Sequence, residues 1–243
     1  MRRCAASGSR STPLDLPLGG HSIALDGEQD LSLFGCAAIL ASFLDALALE
    51  DVTLVANDTG GAISQALVTR TPQRVGRLVL TSCDAFDTYP PRAIGYLKPT
   101  VRLRPALWLL TQAMASTMLQ RTPLAYGWAT HEPIEPRIMG SYLRGMQRDA
   151  GVRRDFAALL RMDDARDMRT ASEAVGRFDR PALVVWGADD RFFPREDGRR
   201  LAELMPEARF ELVDGSRTFI PEDKPERLVA LLGGFLANSR TVP

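Results

Sequence analysis

Apolar residues recur along this chain first with a helical period and then with a strand period. Leu33, Cys36, Ala37, Leu40, Phe43, Leu44 and Leu47 follow i, i+3, i+4, i+7 spacing. That stripe predicts an amphipathic helix packed on a sheet and capped by Asp30 or Ser32. The β-branched run at 52–56 predicts a short strand. A second helical pattern opens at Gly60-Gly61 and runs to about Arg70. Thr71-Pro72 stops it, because the residue before a proline is pushed out of the helical region. Residues 75–81, Val-Gly-Arg-Leu-Val-Leu-Thr, predict a parallel strand buried on both faces. Strand character returns at 181–186 and 209–213, with a helix over 196–205 between them. The last helix begins near Pro225, a residue suited to a first turn, and packs through Leu228, Leu231, Leu232 and Phe235. Alternating strands and helices predict an α/β protein with a mostly parallel, doubly wound sheet.

Two stretches break the alternation. Residues 1–12 show no periodicity and predict a disordered arm. From 86 to 164 proline recurs between helical patterns near 101–119, 135–145 and 152–161, and Trp108, Trp128 and Tyr142 fall there. Ordinary helix packing accounts for each of those aromatic residues.

Composition narrows the function classes. Thirty basic and 30 acidic residues give a formal charge of zero over 243 residues, which offers nothing to nucleic acid or an anionic membrane. No apolar run reaches the length of a membrane span, and Met1-Arg2-Arg3 does not lead into the apolar region of a signal peptide. Cys4, Cys36 and Cys83 are scattered without metal spacing, which fits a reducing, cytoplasmic location. The expected partner is a small-molecule substrate, with no metal and no cofactor; the oligomeric state stays open.

The candidate chemistry lies where the first strand meets the second helix. A strand, a sharp turn and a helix lift one side chain above the carboxyl end of a parallel sheet, beside free helix N–H groups. That position holds Asp58, and the plain alternative is that Asp58 caps the helix. The stretch Val-Thr-Leu-Val-Ala-Asn-Asp-Thr-Gly-Gly-Ala-Ile (52–63) resembles the nucleophile elbow of the α/β-hydrolase fold, with Ala56 and Gly60 at its small positions. Asp followed by X-Gly-Gly is similar to the branch holding haloalkane dehalogenases, fluoroacetate dehalogenases and epoxide hydrolases. Residues 14–22, Leu-Asp-Leu-Pro-Leu-Gly-Gly-His-Ser, resemble the loop after the fourth strand of that fold. The resemblance thus implies an N-terminally truncated version without the first three strands or the His-Gly-x-Pro turn that gives half the oxyanion hole. The elbow strand would then lack a central neighbour, and an unpaired apolar edge is an aggregation hazard. It further implies a core of 13–85 and 165–243 and a helical cap of 86–164 roofing the site.

The same resemblance assigns roles. Asp58 would attack carbon and form an ester, and water activated by a histidine would release it. Gly187-x-x-Asp190 matches the acid position, with Asp189 as the competitor and a simple Asp turn as the bland alternative. In the turn 214–226 Thr218 stands where the base belongs, and a hydroxyl has no pKa suited to that task. His21 and His131, the two histidines of the chain, are expected to be ordinary packed or surface residues. Thr59 replaces the halide-binding Trp of haloalkane dehalogenases, while its backbone N–H, beside Asn57 and Asp58 in the elbow, would supply part of an oxyanion hole. The implied activity is hydrolysis of a small haloalkane, epoxide or ester through Asp58, with release of the intermediate impaired. The rival is a catalytically silent binding protein of the same fold or a truncated gene product. A nucleotide-binding role is disfavoured, since residues 57–61 form neither a P-loop nor a dinucleotide fingerprint.

Overall fold

A computed structural model describes residues 11–238 except 28, 92, 93, 124 and 163. The expected arm at 1–12 therefore lies almost wholly outside the described residues. Helix α1, Leu33–Ala46, starts at Ser32, whose Oγ accepts the Gly35 N–H at 3.1 Å. Strand β1, Val52–Asp58, passes directly into α2, Thr59–Arg70. Strand β2 spans Val75–Cys83, β3 Ala182–Gly187 and β4 Ala208–Val213. The four strands are parallel, in the order β1-β2-β3-β4. Strands β1 and β2 each run two residues further than the expected 52–56 and 75–81, through Asn57 and Asp58 and through Ser82 and Cys83.

Side chains alternate between two cores, as a parallel sheet covered on both faces requires. Leu78, Leu80, Ala182, Val184 and Trp186 pack with α1, α2, α8 (Ala165–Ala174) and α9 (Arg195–Leu204). Val79, Leu183, Val185 and Val213 pack under α11, Pro225–Asn238, through Leu228, Leu232 and Phe235. Helix α8 has no counterpart in the sequence expectation. Its sequence, Ala-Arg-Asp-Met-Arg-Thr-Ala-Ser-Glu-Ala, shows only Met168, Ala171 and Ser172 to the core, too thin a stripe to stand out by periodicity.

Between β2 and β3 the chain forms α3 (Leu97–Thr100), α4 (Arg104–Ala113), α5 (Thr117–Gln120), α6 (Pro136–Arg148) and α7 (Ala150–Met162). The single helix expected over 101–119 is two short ones, α4 and α5, with Pro105 in the first turn of α4. Trp108 is 45% exposed on α4. Trp128 packs edge-on against Phe192, 6.1 Å between ring centroids. A short helix α10, Ile220–Asp223, follows β4.

Among the described residues β1 pairs only with β2, and Val55 on it is 48% exposed.

Candidate active site

Asp58 sits at the junction of β1 and α2 with φ 55° and ψ −134°, a backbone region that L-residues other than Gly rarely enter. Its side chain makes no capping hydrogen bond to α2. The strained backbone therefore does not serve helix capping; it turns the carboxyl toward the interior. The sharp junction also demands close packing of the first turn of α2 on β2. A Cβ on Gly61 would lie 2.3 Å from the Cβ of Cys83, so only glycine fits.

The carboxyl faces a cavity of about 270 Å³, near the small end of ligand sites, which run from roughly 300 to 1,000 Å³. Asp58, Thr59, Asp84 and Thr218 lie at its floor, and its walls are mainly apolar, among them Leu110, Met114, Leu143 and Phe156. Asp58 is pushed up to about 6 from 3.8, by burial first and the nearby Asp190 charge second, against the pull of the Thr59 N–H.

Asp190 follows β3 in the turn that begins at Gly187. A Cβ there would lie 2.4 Å from the Arg217 carbonyl oxygen, so glycine lets the turn approach the loop after β4. Asp190 Oδ1 accepts the N–H groups of Phe192 (2.9 Å) and Phe193 (3.0 Å) and the Thr218 hydroxyl (2.8 Å). The first two are the bonds of an Asp turn; the third joins Asp190 to the site. Burial raises the Asp190 carboxyl, opposed by the Phe193 and Phe192 N–H groups and by the Thr218 and Ser82 hydroxyls. Asp189 points elsewhere, its Oδ2 lying 2.9 Å from His131 Nε2 with both side chains partly exposed.

Thr218 is 1% exposed, and its backbone carbonyl accepts the Asn57 amide at 2.9 Å. The same Asn57 Nδ2 donates to the Thr81 and Ser82 carbonyls at 2.9 and 3.0 Å. Asn57 thus ties the ends of β1 and β2 to the loop bearing Thr218. Its side-chain amide is committed to those carbonyls, so it shapes the elbow from behind and does not act as an oxyanion donor. The Thr59 hydroxyl donates to Asp84 Oδ2 at 3.2 Å, leaving its backbone N–H beside Asp58.

Neither histidine borders the cavity. His21 is 3% exposed, with Nε2 3.3 Å from Asp155 Oδ2, while Nδ1 accepts the Gly19 N–H at 3.3 Å. Both behave as the packed or surface residues expected of them, and Thr218 occupies the position facing Asp190.

Two residues at the cavity escaped the sequence expectation. Asp84 is 1% exposed, and its backbone carbonyl accepts the Gln65 amide at 2.8 Å. The signal was its place directly after a buried strand, the end of a parallel sheet where ligands bind. Tyr126 lines the cavity, and its phenol is pushed up to about 12 by burial, with the Asp58 and Tyr96 side chains adding to the rise. It sits in a turn without periodicity, so no local pattern marked it. The loop after β4 and the segment 127–131 are bound together. Arg217 Nη1 donates to the Gly127 and Thr130 carbonyls at 2.7 and 2.8 Å, and the Phe219 N–H donates to the Ala129 carbonyl at 2.8 Å. Asp223 accepts the His131 and Arg217 N–H groups, each at 2.8 Å.

Known proteins resemble this chain in sequence and fold. A curated relative, an uncharacterized hydrolase named YugF from Bacillus subtilis, is 23% identical over 204 residues, covering 82% of this chain and 70% of its own length. A 2-hydroxy-6-oxononadienedioate/2-hydroxy-6-oxononatrienedioate hydrolase from Paraburkholderia phymatum is 27% identical over 240 residues, covering 96% of this chain and 78% of its own. Among solved structures, haloalkane dehalogenase DbeA from Bradyrhizobium elkani superposes with a TM-score of 0.71 at 18% identity, over 91% of this chain and 79% of the other. At that identity the likeness is one of fold. A family profile described as alpha/beta hydrolase fold matches residues 4–225, and with the parallel sheet and the strained elbow in view, the chain belongs to the alpha/beta hydrolase family.

Proposed function

We propose that the protein is a hydrolase of small organic substrates that uses Asp58 as its nucleophile, with 86–164 serving as the cap over the site. The observation that carries this reading is the uncapped Asp58 carboxyl, held on a strained backbone at the floor of an apolar cavity. Such strain is stored where it aims a reacting group. An ionised carboxylate oxygen would attack an electrophilic carbon of a haloalkane or epoxide. A new C–O ester bond forms while the C–X bond breaks and its electron pair leaves with X; an activated ester would acylate Asp58 instead. The Thr59 N–H is placed to steady negative charge developing there.

Release requires water to attack the ester while a base takes its proton. Thr218 makes the acid's hydrogen bond, but it cannot hold that proton near neutral pH. Loss of a positioned base typically slows such a step about a hundredfold to ten-thousandfold, so the covalent intermediate accumulates. Thr218 in that place also favours a second reading, a silent member of the family that binds without turnover.

Intact-protein mass spectrometry after incubation with haloalkanes, epoxides and activated esters, with Asp58→Ala alongside, tests this. An adduct that builds up and is absent from Asp58→Ala supports the nucleophile. Product without adduct means that another group serves as base. Neither product nor adduct from folded protein moves the assignment to the silent reading.

A further inference from the structure

Electrostatics at the cavity floor bear on what can enter. Asp58 and Asp84 both line it, and Asp190 stands behind Thr218. Among the described residues that line the cavity there is no Lys, Arg or His. Arg217, a cation of the adjoining loop, does not line the cavity, and its Nη1 donates to the Gly127 and Thr130 carbonyls. The rest of the lining is aliphatic and aromatic, with the hydroxyls of Thr111, Tyr89, Tyr96 and Tyr126 as further polar groups. A carboxylate entering would have to shed its hydration against these walls and come to rest beside fixed negative charge in a poorly screened space. An uncharged ligand meets neither obstacle and gains from apolar burial.

We infer that this cavity selects uncharged, largely apolar ligands and excludes those bearing a carboxylate, so that the substrate reaching Asp58 carries no anionic group. The inference names the substrate class for the reaction proposed above, but the charge selection itself does not need Asp58 to react.

The test separates the two. Binding of hexanamide and of hexanoate to the full chain is titrated at pH 8 by ligand-observed NMR. The amide is expected to bind at least tenfold more tightly, and Asp58→Asn, which removes one of the fixed charges, should narrow that ratio. Equal or tighter binding of hexanoate, or no binding of either ligand, overturns the inference. Adduct formation is then compared for 1-bromohexane and 6-bromohexanoate. An adduct with the bromoalkane alone supports the inference and the nucleophile together. Equal adducts with both overturn the charge selection and leave the nucleophile standing. No adduct with either, alongside a preserved amide preference, supports the selection and removes the nucleophile.

Discussion

The Thr218 hydroxyl donates to Asp190 Oδ1 at 2.8 Å. It makes the bond that a catalytic imidazole would make to its orienting carboxylate, without a second nitrogen to reach the substrate side. Asp190 keeps a hydrogen-bond partner there, but a hydroxyl is no proton acceptor near neutral pH.

Replacing that residue should restore the missing step. Thr218→His is expected to speed decay of the Asp58 adduct by about a hundredfold or more, followed as loss of the adduct mass in a single-turnover chase. Thr218→Val, which removes the hydrogen bond without adding a base, should leave the decay slow. Equal decay in all three proteins would show that the base position does not govern release.

As a nucleophile Asp58 would react only when ionised, and burial pushes its carboxyl up to about 6. Adduct formation should therefore rise about tenfold per pH unit below 6 and level off above it. Since the Asp190 charge is the second cause of the elevation, Asp190→Asn should move the inflection to lower pH. An inflection that stays put would separate the two carboxyls electrostatically.

The same elevation acts on stability. A carboxyl whose folded pKa lies above its unfolded value favours folding below about pH 4, and that contribution is lost as pH rises through 6. At pH 8 the ionised Asp58 is thus a burden, at most roughly 3 kcal/mol from the difference between 3.8 and about 6, and less because the group is only partly buried. Asp58→Asn should raise Tm at pH 8 by several degrees, at about 2–4 °C per kcal/mol, and do little at pH 4. Differential scanning calorimetry at the two pH values checks it.

Asn57 is a structural residue whose loss should show in both readouts. Asn57→Ala leaves the Thr81, Ser82 and Thr218 carbonyls without their shared donor and should lower stability by about 2 kcal/mol. Adduct formation should fall more than stability alone explains, because the Thr218 loop loses its tie to the elbow. Wild-type adduct rates in a protein with a lowered Tm would confine Asn57 to folding.

Much of this was legible in the chain because it rests on local rules. The apolar runs at 78–80 and 182–186 sit in β2 and β3 and are buried on two faces in the sheet. The elbow showed itself because a strand, a polar pair and two glycines allow few other turns, and the Gly187-x-x-Asp190 spacing marked the acid turn through its resemblance to the family pattern. Asp84 had a local signal, its place directly after the buried strand β2, whereas Tyr126 was not legible, since what brings it to the cavity is the packing of segments far apart in sequence. The three commitments of the Asn57 amide were hidden for the same reason: two acceptors lie on β2 and the third is 161 residues away.

Among the described residues the strand carrying Asp58 pairs only with β2, which places the elbow in the part of the sheet expected to open most readily. Border strands exchange their amides through local openings well short of global unfolding. Residues 53–57 should then lose protection before 183–186. On heating, reactivity and tertiary structure would depart at two temperatures, the first set by a few hydrogen bonds around the elbow and the second by the core beneath it.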